Sequence, residues 1–186
     1  MSFCIDLNIL LYAAFEENRW HVKAEEFLQL QMRSHEPCYM SWDTIYGFIR
    51  IATHSSVFKK PLSPKQALDN MQSIVSNPKV IMMEPSQESW AIYTKLVKDH
   101  SLRGALTVDA ILAAHLEAHG INKLYTRDRD FWKFSYLKPV DPFNWFFQEC
   151  LLRGGIHSTE VNILSREVGT TRDSYTDVVD FMRHQK

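Results

Sequence analysis

Short apolar runs alternate with segments of helical periodicity, which predicts an α/β domain on a mainly parallel sheet. Two observations lead there. The runs Ser2–Phe3–Cys4–Ile5, Cys38 to Met40, Lys79 to Met83, Lys123 to Thr126 and Leu137 to Val140 have strand length, and most are separated by enough chain for a crossover helix. Acids follow two of them, Asp6 directly and Asp128 just beyond Thr126. Parallel strands bring their C-terminal ends to one edge, where ligands bind in open α/β sheets.

The elements follow in order. Asn8 to Phe15 reads as a first helix, and a second runs from about Trp20 to Ser34 with Val22, Phe27 and Leu30 on its inner side. Glu36–Pro37 breaks it. Ser41 offers an N-cap for a helix over Trp42 to Thr53. Pro61 and Pro64 punctuate the next loop, and Ser63 caps a helix through Ser76. Ser86 begins a helix carrying Trp90, Ile92, Tyr93 and Leu96. Gly104 interrupts, and a helix from about Thr107 to His119 stops at Gly120 in the C′ position. Arg127 to Phe134 reads as a turn with a short helix. The domain, residues 1–148, should close near Gln148. Residues 149–186 read as a helical extension, with a weak helix at about Thr159 to Val168 and an amphipathic one presenting Tyr175, Val178, Val179 and Met182. The second face suits packing on its own domain, a dimer mate or a partner.

Composition narrows the class. The 186 residues carry 21 basic and 22 acidic side chains, so no global field draws the chain to nucleic acid or a membrane. Cys4, Cys38 and Cys150 lack paired ligand spacing, which argues for a reducing compartment and against a disulfide framework or zinc site. No apolar run approaches the roughly 18 residues of a membrane span and no signal peptide opens the chain, so a cytoplasmic location without membrane partners is expected. His115 and His119, four apart near a helix C-terminus, are ordinary there.

Three carboxylates carry the chemistry. Asp6 ends the first strand, Asp109 lies in the first turn of the Thr107 helix, and Asp128 follows the Lys123 strand. If they converge at one sheet edge, each raises its neighbours' pKa unless a cation neutralises them. Hard divalent ions such as Mg²⁺ and Mn²⁺ take oxygen ligands, and phosphodiester hydrolysis is the natural chemistry of that arrangement. Each acid also has an ordinary structural account. Asp109 suits a helix N-terminus, Asp128 a turn, and Asp6 a cap on the helix after it.

Four stretches resemble PIN-domain proteins, in particular VapC-type toxins of bacterial toxin–antitoxin modules. They are Ile5–Asp6–Leu7–Asn8–Ile9–Leu10–Leu11–Tyr12–Ala13, Phe48–Ile49–Arg50–Ile51–Ala52–Thr53–His54 with the loop to Ser63, Leu102–Arg103–Gly104–Ala105–Leu106–Thr107–Val108–Asp109–Ala110, and Thr126–Arg127–Asp128–Arg129–Asp130–Phe131. The resemblance covers about residues 2–145. It implies a three-layer fold with a central parallel sheet, Mg²⁺- or Mn²⁺-dependent endoribonuclease activity, homodimers, and inhibition by a cognate antitoxin. It also implies that Asp6, Asp109 and Asp128 are catalytic metal ligands and that Asn8 steadies Asp6.

One position departs from the resemblance. Many such proteins carry a Glu on the helix after the second strand, where this chain has Gly47. Asp43, one turn earlier, is a candidate replacement. Asp130 is another, although alternation turns it away from Asp128 if that segment is extended. Arg103 is the leading candidate for an RNA phosphate, ahead of Arg50, Arg127 and Arg129. The five tryptophans suit core or interface anchoring, with base stacking a second role for Trp42 or Trp132. A haloacid-dehalogenase-like phosphatase would need a second Asp where Asn8 stands, and Asn cannot transfer protons. A catalytically weak module binding RNA or a protein partner is the alternative that Gly47 raises, and a DNA nuclease is a third, since the metal chemistry does not itself choose the sugar.

Overall fold

The computed structural model describes residues 2–143. Its elements are β1 (Phe3–Ile5), α1 (Leu7–Ala14), α2 (His21–Arg33), β2 (Cys38–Ser41), α3 (Trp42–Ala52), α4 (Pro64–Val75), β3 (Val80–Met83), α5 (Gln87–Asp99), α6 (Ala105–Ala118), β4 (Lys123–Tyr125), a 3-10 turn (Arg129–Lys133) and β5 (Lys138–Val140). The strands form one sheet in the order β3-β2-β1-β4-β5, and every neighbouring pair is parallel. The chain steps outward from β1 through β2 to β3, then crosses back to place β4 on the other side of β1. That reversal is a topological switch point, where the connections leaving two adjacent strands part and open a crevice. Asp6 leaves β1 at this crevice and Thr126 leaves β4 beside it.

Strand alternation builds the three layers. Phe3 and Ile5 face a core with Ile9, Phe27, Phe48 and Met71 from α1 to α4. Cys4 points the other way, into a core with Leu102, Ala113, Leu116 and Phe131 under α5 and α6. Both faces are covered, as an all-parallel sheet requires.

The expected helix caps are present. The Ser41 side chain accepts from Asp43 N, Ser63 and Gln66 form a capping box, and so do Ser86 and Ser89. Two details differ from expectation. In α2 Phe27 is buried, but Ala24 and Gln31 complete the inner stripe, leaving Val22 and Leu30 63% and 43% exposed. The spacing i−3, i, i+4 turns the stripe away from both. Helix α6 starts at Ala105, behind Gly104 in a positive-φ conformation (φ 58°, ψ −131°) that side chains disfavour. Asp109 is therefore one full turn inside the helix, beyond the reach of a simple N-terminal preference.

Cys4 and Cys38 are buried free thiols, and burial pushes both pKa values up, Cys38 to about 12. Among the described residues no helix is long and apolar enough to cross a membrane. The expected boundary near Gln148, Trp145, Cys150 and the extension 149–186 lie outside the described residues.

Candidate active site

Thr126 is the hub of the crevice. Its hydroxyl donates to Asp6 Oδ2 at 2.6 Å. It accepts from Asn8 Nδ2 at 3.1 Å and from the backbone N–H of Asp128 at 2.9 Å. One proton given and two accepted exhaust a hydroxyl, so Thr126 holds Asp6, Asn8 and Asp128 in a single relative arrangement. Asn8 thus reaches Asp6 through Thr126.

Asp128 is buried and caps the 3-10 turn, accepting from Asp130 N at 2.8 Å. The segment after β4 is consequently not extended, and alternation does not turn Asp130 away. One carboxylate oxygen each from Asp109, Asp128 and Asp130 lie within 4.8 Å of one another. Asp6 lies outside that trio, yet it couples to it electrostatically. Burial pushes the Asp6 carboxyl up to about 7, with the Asp128 charge adding to it against the Thr126 hydrogen bond. Asp109 is likewise raised to about 7 by burial, then by the charges of Asp128, Asp6 and Asp130. Asp128 is raised by burial and by Asp130. Asp109 Oδ2 and Asn8 Oδ1 are buried without hydrogen-bond partners.

Asp43 is otherwise engaged. Its Oδ2 accepts from Ser41 Oγ at 2.9 Å and lies 3.5 Å from Nε2 of the buried His115. Burial pushes the His115 pKa down, opposed by the Asp43 charge. Gly47 leaves no room for an acid without movement, since a Cβ there would stand 3.2 Å from Leu7 Cδ2.

The arginines divide. Arg127 donates through Nε to Asp141 at 3.1 Å, and its guanidinium lies 4.0 Å from the centre of the Trp20 ring, which stacks on Phe143. That is a structural commitment, which removes Arg127 from the phosphate-binding candidates. Arg103 and Arg50 are exposed. Trp20 is the packed anchor foreseen for this residue type, whereas Trp90 and Trp132 are more than 60% exposed. Trp42 stacks on Tyr46 and donates to Glu84.

Sequence reasoning passed over Thr126 as a functional residue. A local signal existed, because a Thr two residues before an acid can accept from that residue's backbone N–H.

A family model for the PIN domain matches residues 3–135. The chain belongs to the PIN-domain family. All four crevice acids fall within the matched span. This PIN domain is 30% identical over 144 residues to Ribonuclease VapC48 of Mycobacterium tuberculosis, covering 77% of the chain and 99% of that protein. It is 29% identical over 141 residues to VapC ribonuclease Mb2897 of Mycobacterium bovis, covering 76% of the chain and 95% of the relative. Among solved structures, VapBC2 from Rickettsia felis bound to a promoter DNA fragment superposes with a TM-score of 0.54 at 19% identity, covering 75% of this chain and 98% of that one. VapBC-1 from nontypeable Haemophilus influenzae gives 0.53 at 21% identity, covering 76% and 98%. These two share the PIN fold with it.

Proposed function

We propose that this protein is a divalent-cation-dependent endoribonuclease, the toxin of a toxin–antitoxin pair. The supporting observation is the set of mutually repelling carboxylates at the switch point, Asp6 and Asp128 buried and tied together by Thr126, Asp109 and Asp130 half-buried beside them. The relatives named as VapC ribonucleases, matched over nearly their whole length, favour RNA as the substrate. The VapBC neighbours motivate a cognate antitoxin partner. A homodimer and a cytoplasmic location belong to the same proposal.

The residues fit a hard cation. Every donor is oxygen, Asp109 Oδ2 is buried without a partner, and Asp6 and Asp109 have raised pKa values, by burial first and then by neighbouring carboxylate charge that a cation would neutralise. Asp6, Asp109 and Asp128 would hold Mg²⁺ or Mn²⁺. Such an ion, when bound, supplies water activation and charge neutralisation at the scissile phosphate.

The protein's own groups do the rest. Thr126 restrains Asp6 and Asp128 so that their oxygens need little reorganisation. Asn8 loads the Thr126 oxygen from one side and Asp128 N–H from the other, which directs the hydroxyl proton at Asp6. Helix α6 brings Asp109 to the same cluster. Arg103, exposed just before Gly104, is our candidate for gripping an RNA phosphate bidentately. No nucleophilic side chain is required.

A second reading, a catalytically weak module that binds RNA or protein, draws on the absence of an acid at Gly47. Cleavage of a panel of tRNA and ribosomal RNA stem-loops with Mg²⁺ or Mn²⁺, parent against Asp109→Asn, separates the two. Cation-dependent cutting lost in the variant is expected. A folded parent that neither binds cation nor cuts would transfer the assignment to the binding module.

A further inference from the structure

We propose that Asp130 is a ligand of the same cation, in place of an acid that α3 does not supply, and that the Lys133 ammonium holds that place in the cation-free protein. The proposal rests on the cation-dependent reading above and adds two residues to it.

Local geometry brings Asp130 in. Asp128 accepts from Asp130 N and tightens residues 129–133 into a 3-10 turn. With three residues per turn, positions i and i+3 eclipse, so Lys133 stands over Asp130. The Lys133 ammonium pairs with the Asp130 carboxylate. The Asp130 carboxylate in turn completes the trio with Asp109 and Asp128, whose oxygens, all within 4.8 Å of one another, could share a single ion.

The acid that α3 does carry, Asp43, is engaged through Oδ2 by Ser41 and His115. Gly47 abuts Leu7. Asp130 is only one-third exposed, whereas Lys133 is nearly half exposed and free to swing into solvent.

Lys133 acts on more than its nearest partner. Paired with Asp130, it stands at the edge of the trio, where its positive charge opposes the mutual repulsion of the three carboxylates. A tethered single charge at the edge of three carboxylates is the arrangement a divalent ion displaces. Two charges in a compact sphere interact more strongly with the trio than one on a flexible stem.

The test is Mn²⁺ binding to the full chain, by calorimetry and by electron paramagnetic resonance of the free ion, with no RNA present. Asp130→Asn and Asp130→Ala should each weaken binding at least tenfold, with circular dichroism unchanged, because the capping donor at 130 is backbone. Lys133→Met should tighten binding several-fold, and that gain should vanish when combined with Asp130→Ala. Asp43→Asn should bind like the parent. Parent-like binding by both Asp130 variants, with Asp109→Asn binding lost, overturns the proposal and leaves the cation site standing. No gain in Lys133→Met overturns the stand-in role. A parent that binds no Mn²⁺ overturns the proposal together with the reading beneath it.

Discussion

Thr126 donates its hydroxyl proton to Asp6 across 2.6 Å, joining residues 120 apart in sequence at the ends of β1 and β4. Thr126→Val keeps the shape and removes every bond of the hydroxyl. It strands the Asn8 amide and the Asp128 N–H without their acceptor, so unfolding free energy should fall by about 2 kcal/mol or more. Cleavage should fall in parallel, and Thr126→Ser should recover both. Urea unfolding and stem-loop cleavage, run on the three proteins, check this. A Val variant as active as the parent would remove Thr126 from the site.

Asp109→Asn separates catalysis from stability. As a proposed ligand its loss should reduce cleavage beyond the roughly 10–100-fold typical of groups that only orient ligands. The same change removes a charge repelled by Asp128, Asp6 and Asp130. Thermal unfolding at pH 8 without divalent ions should therefore occur at a higher temperature than in the parent. A lower midpoint would mean that the carboxylate stabilises the fold.

The pH dependence has a definite sign. Asp6 and Asp109 rise from 3.8 to about 7 on folding, so between those values the folded protein holds protons that the unfolded chain has lost. Cation-free stability is then greatest near pH 4, falls as pH rises through 7, and is flat above. The melting midpoint should drop by several degrees from pH 5 to pH 8, at about 2–4 °C per kcal/mol for a chain of this size. Mn²⁺ should raise the midpoint at pH 8 more than at pH 5. A midpoint indifferent to pH across that range would contradict the burial and charge repulsion that raise these two carboxyls.

Gly47 presses α3 against Leu7, which stands between Asp6 and Asn8. Gly47→Ala gains helix propensity and pushes Leu7, two effects of about 1 kcal/mol each and opposite sign. Stability should change little while cleavage falls, because the displaced side chain is covalently next to the site. Adding Leu7→Ala should restore activity. Activity unchanged in the single variant would show that the crevice is insensitive to this contact.

Arg103 and Arg127 should part company. Arg127→Ala loses the Asp141 bond and the Trp20 ring, destabilising the fold by about 2 kcal/mol. Arg103→Ala should leave stability alone, weaken RNA binding, and lower the salt slope of binding by about one ion. Fluorescence anisotropy with an RNA stem-loop at several salt concentrations distinguishes them. Equal slopes for Arg103→Ala and the parent would remove Arg103 from the phosphate contacts.

Strands, helices and caps were legible in the chain because their causes are local. Apolar periodicity located β1 to β5 within a residue or two, and Ser41, Ser63 and Ser86 marked helix starts through their own side chains. The same locality explains the misplacement of Val22 and Leu30, since which flank of a stripe is covered depends on what packs there. Asp6 and Asp128 could be singled out because each follows a strand, and Asp109 because the chain read as a helix start there, although α6 begins a turn earlier. The tertiary structure decided which carboxylates actually meet. A capping bond curled the segment after Asp128 and brought Asp130 to Asp109. Ser41 and His115 engaged Asp43, and Trp20 with Asp141 claimed Arg127. A carboxylate or guanidinium takes its role from partners supplied by distant segments, and hydrophobic patterning specifies the elements without specifying those partners.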